Sequence, residues 1–168
     1  MISKTAWMVR SALIAALYAA LTFVIPFSSG LMQVRLPEAM CVLPYFMSSA
    51  VPGLFIGCLI GNLVSGAIPV DVIFGSLASL LAAYMVYLMG KRGVNKWLAP
   101  LPAVVINALV LGGVFCYAYG WADYWVCALY VGAGQGIACY GIGMPLMYAV
   151  KRYGGKALNL SLIHISEP

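Results

Sequence analysis

Charge is scarce in this chain, and it is sorted. Only 8% of the 168 residues are charged and 64% are hydrophobic. Outside the C-terminal tail the acids are Glu38, Asp71 and Asp123, and each borders a break between long apolar runs. Eight of the nine Lys/Arg residues fall at the other breaks, as in Lys4/Arg10, Lys91/Arg92/Lys96 and Lys151/Arg152/Lys156. A soluble domain is about half apolar and about a quarter charged. With a mean hydropathy of +1.01, this chain has more apolar surface than a soluble core can hide, so its solvent is lipid. The net charge of +5 does not indicate nucleic acid. Short basic clusters flanking apolar runs are the pattern of cytoplasmic loops.

Six apolar runs are legible, at about residues 5–26, 38–50, 54–64, 70–89, 98–119 and 124–150. The second and third are shorter than the roughly 20 residues of a perpendicular span. They form either one kinked span, broken at Pro52-Gly53, or two short helices whose ends the bundle shields. Charge parity chooses between these. If the three basic clusters share one side, an even number of crossings separates each from the next, and two short helices satisfy that count. The expected fold is therefore an all-α membrane bundle of six transmembrane helices. Both termini are cytoplasmic and the second and third helices are short. Outer loops fall near residues 27–37, 66–70 and 120–123, with Arg35 the one outer cation.

The first run has no small-residue cleavage region after it and reads as a retained helix. Residues 1–158 are expected to form a single integral-membrane bundle. Residues 159–168, NLSLIHISEP, read as a non-native or unstructured tail, since SLIHISEP resembles sequencing-adapter read-through or a cloning scar. The one histidine, His164, lies in that tail, so no His-based metal or proton-relay site is expected in the bundle. The five cysteines have no CxxC spacing and read as small buried hydrophobes. No metal and no cofactor is expected.

Several residues invite two readings. Glu38 opens an apolar helix, where the helix dipole favours an acid and Arg35 can neutralise it. It can equally receive two N–H donors from a ligand edge. Asp71 follows Pro69 and suits the first turn of a helix, or serves as counter-charge to a cationic ligand. Asp123, before Tyr124-Trp125, reads as an interface anchor. Gln33, Asn62, Asn107 and Gln135 are amides in or beside apolar runs, where polar groups either tie helices together or mark a site. Gln135 stands in a glycine-rich stretch, residues 132–136, bare enough for a planar ligand to approach. Phe27, Tyr45, Phe46 and Tyr117 can stack on a flat ring. Ala12, Ala16 and Ala20 place small side chains on one helix face, and Gly53, Gly57 and Gly61 do the same in the third helix. Such faces allow close helix approach in lipid, within the bundle or against a partner.

The missing motifs narrow the function. Gly154-Gly155-Lys156-Ala157 is not a nucleotide-binding P-loop, and no Ser/His pair lies in the bundle. The chain is not expected to be an enzyme. A membrane enzyme would want paired acid/base groups or a metal cluster on the cytoplasmic side, which here carries mainly Lys and Arg. A self-sufficient exporter would want an acid deep in an early helix. Uphill transport would need energy from another subunit.

The segments LTFVIPFSSGLMQVRLPEAMCVLPYF (residues 21–46), AVPGLFIGCLIGNLVSG (50–66) and DVIFGSLASLLAAY (71–84) resemble the QueT family. The likeness continues through LAPLPAVVINALVLG (98–112) and spans about residues 10–150. The Q-x-R-x-x-E, PGLF-x-G-x-x-x-x-N and D-V-x-F-G-S patterns, in this order, carry it. Members are substrate-binding (S) components of energy-coupling factor (ECF) transporters for queuosine precursors. The resemblance implies a six-helix bundle in the bacterial plasma membrane. The implied partners are a membrane T subunit, docked on the Ala12, Ala16, Ala20 face, and two cytoplasmic ATPases. The implied ligand is a 7-deazaguanine such as the 7-aminomethyl form. Its guanine edge suits Glu38 and its cationic arm suits Asp71, with Arg35, Gln33, Asn62, Asn107 and Gln135 as further candidates. The alternatives are an S component for another vitamin or nucleobase, or a small membrane enzyme.

Overall fold

The structure, a computed structural model, describes residues 3–24 and 34–157. Gln33 and the tail from residue 159 lie outside them, as does Phe27. The described chain is all-helical: α1 (Lys4–Val24), the 3-10 helix η1 (Leu36–Tyr45), α2 (Ala50–Val64), α3 (Pro69–Lys91), a short 3-10 turn η2 (Lys96–Leu98), α4 (Leu101–Tyr117), α5 (Tyr124–Gly136), the π segment η3 (Ile137–Gly143) and α6 (Met144–Ala157). The last three run on without interruption, so the sixth apolar run is one helix with a widened middle. Four helical stretches are long and apolar enough to cross a bilayer: Lys4–Phe23, Pro69–Lys91, Lys96–Tyr117 and Tyr124–Tyr153. Ala50–Val64 is a shorter apolar helix.

The second and third runs are two separate short helices, but they do not divide at Pro52-Gly53. The break falls after Tyr45, and Pro52 and Gly53 lie inside the first turn of α2. A proline is tolerated there because the first backbone N–H groups of a helix have no intrahelical acceptor to lose. Pro37 and Pro44 instead bracket η1, whose residues Pro37 to Pro44 are all buried. Ten residues at about 2.0 Å rise give η1 a length of about 20 Å. It runs through the middle of the molecule, touching α1, α2, α3, η3 and α6.

Small residues set the tightest helix pairs, α1–α2 and α4–α5. A Cβ on Gly57 would lie 2.6 Å from Tyr18 Cβ and 2.9 Å from the Ala15 carbonyl oxygen. Gly53 and Gly61 meet Ile14 and Thr22 in the same way. The glycine face of α2 is thus consumed by α1, and the two helices run parallel. Gly112 packs likewise on Ala128. Outward-facing side chains are greasy: Leu13, Leu17, Leu81 and Leu129 are exposed, as lipid-facing side chains must be.

Neighbours at one end of the bundle bring the basic clusters together. The Trp7 indole donates to Ser48 Oγ (3.0 Å), the Tyr45 hydroxyl donates to the Val94 carbonyl (2.7 Å), and Lys151 stands beside Lys96. Arg35 and Asp71 lie at the other end, where Gly66 turns at φ +72° and Gly120 at φ +66°. Both sit in the left-handed region that glycine enters without cost to a Cβ.

Candidate functional site

The site begins with one buried carboxylate. Glu38 stands in the first turn of η1, where the helix dipole favours negative charge, and only 7% of its surface is exposed. A carboxylate withdrawn from solvent needs donors. Two distant helices supply them: the Tyr18 hydroxyl of α1 donates to Oε1 at 2.5 Å and the Gln135 side-chain amide of α5 donates to Oε2 at 2.8 Å. Tyr18 is held by Gly57 of α2 pressing on its Cβ. Gln135, Cys139 and Gly143 form one line along the last helix, facing the Glu38 side chain, the Glu38 carbonyl and the Ala39 carbonyl in turn.

A small void of about 10 Å³, room for about one water, lies beside this carboxylate. Tyr18, Glu38, Cys41, Leu54, Ser79 and Asn107 line it, with small alanines of α3 and α4 between them. Asn107 is 1% exposed and its Oδ1 has no hydrogen-bond partner. The Ser79 hydroxyl is spent on Cys58 Sγ, 3.4 Å away. Its lining, apolar with a few placed polar groups, is of the kind that small-molecule sites have, and a ligand larger than water enters only if the helices around it move apart.

A second polar group sits toward the acidic end. Arg35 Nη1 donates to Asn62 Oδ1 (3.0 Å), and Asn62 Nδ2 donates to Cys58 Sγ (3.5 Å). The Tyr119 hydroxyl donates to Asp71 Oδ2 (3.4 Å). Asn62 and Asp71 approach each other over Gly75, whose absent Cβ would lie 3.2 Å from one and 3.4 Å from the other. Burial works against the charge on Arg35. The acidic groups around it, Tyr18, Glu38 and Asp71, outweigh that and hold the guanidinium above its ordinary value. Arg35 is therefore a standing cation between the two acids. Asp71 is two turns along α3 from Ser79, about 12 Å at 1.5 Å per residue, so this group forms a rim rather than the cavity wall.

The structure thus divides the residues singled out in the sequence. Glu38 and Asn107 line the cavity, and Gln135 joins them only through its bond to Glu38; Arg35, Asn62 and Asp71 meet at the rim. Asp123 occupies the N-cap position of α5 without a side-chain cap bond. Ala12, Ala16 and Ala20 are exposed, while Ala15 and Ala19 face inward. None of the described aromatic candidates for ring stacking lines the cavity. Tyr45 is tied to Val94 at the basic end, Phe46 packs edge-on against Tyr45, and Tyr117 is 83% exposed. The glycines of the stretch at residues 132–136 for which neighbours are described do not face the cavity. Gly132 faces Ala108 of α4, nothing lies within 4 Å of the Gly136 position, and only the Gln135 side chain turns to the site.

Sequence reasoning missed Tyr18, Ser79, Cys58 and Tyr119. A signal existed for Tyr18. It interrupts an otherwise aliphatic stretch of α1, and a buried tyrosine hydroxyl requires a partner. Ser79 and Cys58 carry no such signal, because small polar residues are common in packed membrane helices.

No curated protein and no solved structure matches the chain. The family profile of the QueT transporter does match, over residues 8–152, from the second turn of α1 through most of α6, with all of the cavity and rim. This multi-pass membrane protein belongs to the QueT transporter family.

Proposed function

We propose that the chain is the substrate-binding component of an ECF-type importer and captures a 7-deazaguanine queuosine precursor, such as the 7-aminomethyl form. Family membership supports the class. The observation that carries the ligand reading is Glu38, a buried carboxylate on the wall of a mostly apolar cavity. An ionised carboxylate has about four acceptor positions. Tyr18 and Gln135 occupy two, and the remaining pair matches the ring N–H and exocyclic NH₂ of a guanine edge. Gln135 and Tyr18 fix the carboxylate so that little ordering is left for the ligand to impose. At the rim, Asp71 offers counter-charge to the cationic aminomethyl group, and Arg35 with Asn62 offers donors to a carbonyl.

The basic end faces the cytoplasm by the positive-inside rule, in a bacterial plasma membrane, and the acidic rim faces out. The exposed face of Ala12, Ala16 and Ala20 docks a membrane T subunit, and two cytoplasmic ATPases supply the energy to reorient the bundle. Calorimetric titration of the purified chain with 7-aminomethyl-7-deazaguanine tests this. Saturable heat at one site per chain is expected. Absence of heat with that ligand, together with binding of an unrelated vitamin, would overturn the ligand assignment.

A further inference from the structure

The orphaned amide in the cavity points to a second recognition contact. Asn107 is 1% exposed, its Oδ1 lacks a partner, and it shares the cavity with Glu38. Buried polar atoms are nearly always bonded, and an exception calls for a ligand or a water to complete it. Of the side chains that line the void with Asn107, Leu54, Ala82, Ala83 and Ala103 have no donor, the hydroxyls of Ser79 and Tyr18 are spent on Cys58 and Glu38, and the Cys41 thiol is a weak donor. The donors nearest Glu38, on Tyr18 and Gln135, are already committed to it. What the cavity lacks at Asn107 is one N–H.

We propose that Asn107 is a specificity-determining residue that accepts a ring N–H on the edge of the ligand remote from Glu38. This rests on the deazaguanine reading and extends it. With the guanine edge on Glu38, the opposite side of the bicycle presents the five-membered-ring N–H and the aminomethyl arm. An ammonium brings three donors and a charge and needs several acceptors. Asn107 offers one unpartnered neutral acceptor, which matches the single donor of the ring N–H. The site then takes the free base and rejects forms substituted at that nitrogen, nucleosides included. A substituent there removes the donor and leaves Oδ1 orphaned, and sites built around a hydrogen bond discriminate strongly against ligands that lack it.

The experiment is calorimetry on the purified full chain with the 7-aminomethyl base, the 7-cyano base and the 7-aminomethyl base methylated on the five-membered-ring nitrogen. The wild-type chain is expected to bind both free bases and to bind the methylated one on the order of 100-fold more weakly. Asn107→Leu is expected to weaken both free bases by a similar factor, about 10- to 100-fold, and to narrow the gap between methylated and free base. Asn107→Asp keeps an acceptor and is expected to keep most of that gap, so it serves if the leucine variant does not fold. Free-base affinity unchanged in Asn107→Leu, or a methylation penalty as large in that variant as in wild type, would overturn the role of Asn107 and leave the deazaguanine reading standing. No binding of either free base to the wild-type chain would overturn both.

Discussion

The α1–α2 pair and the η1–η3 pair solve different problems in the same bundle. The first is regular α-helix against regular α-helix, held close because Gly53, Gly57 and Gly61 present no side chain to Ile14, Tyr18 and Thr22. The second sets a long 3-10 helix against a π segment, two geometries that occur mostly in short pieces and frequently at functional sites. The regular pair carries Ser11, Tyr18 and Asn62 into the interior, each hydrogen-bonded. The irregular pair frames the buried Glu38, with Cys139 Sγ against the Glu38 carbonyl (3.5 Å) and Gly143 against the Ala39 carbonyl. The tight helix twists and the wide one opens where Glu38 must be reached by Gln135 from 97 residues away. Close packing is thus concentrated in one pair and the buried carboxylate in the other, and Tyr18 and Asn62 carry the first pair into the site.

The largest effect should come from breaking the regular pair. Gly57→Val drives a branched side chain into Tyr18 and the α1 backbone. It is expected to destabilise the bundle by about 3 kcal/mol, seen as a lower melting temperature in detergent, and to abolish binding by shifting Tyr18. Glu38→Gln should then separate the two pairs. The loss of a charge-assisted acceptor is expected to cost about 2–3 kcal/mol of ligand affinity, read by calorimetry, while the melting temperature stays near that of wild type. A fall in melting temperature as large as that of Gly57→Val would show that Glu38 is structural and that the division drawn here is wrong. Tyr18→Phe keeps the ring packing and removes one donor from the carboxylate. Affinity should fall by about 1 kcal/mol, with a smaller change in stability than either other variant. An effect exceeding that of Glu38→Gln would place the ligand on the tyrosine instead.

Much of the fold was legible because it follows from lipid and charge. Parity of the basic clusters required two short helices between the first and fourth runs, and η1 and α2 are those helices. The position of the break was not legible. Pro52-Gly53 looks like an interruption in sequence, but proline in a first turn is a start signal, and only the tertiary structure shows that the chain has already turned at residues 46–49. The site was legible in its polar inventory and not in its grouping. Glu38, Asn107 and Gln135 stand out as polar residues in apolar runs. Their separation into a cavity set, distinct from Arg35, Asn62 and Asp71, depends on helix pairing over long sequence distances. The π segment had no signal in the sequence; the open backbone was read instead at residues 132–136, in α5, where a Cβ on Gly132 would meet Ala108 and one on Gly136 would meet nothing within 4 Å.

The most direct measurement is an experimental structure of the chain bound to 7-aminomethyl-7-deazaguanine. The heterocycle is expected between Glu38 and Asn107, with the void there widened around it and the guanine edge within hydrogen-bonding distance of the carboxylate. A ligand seated elsewhere, with Glu38 still held only by Tyr18 and Gln135 and Asn107 still unpartnered, would contradict it.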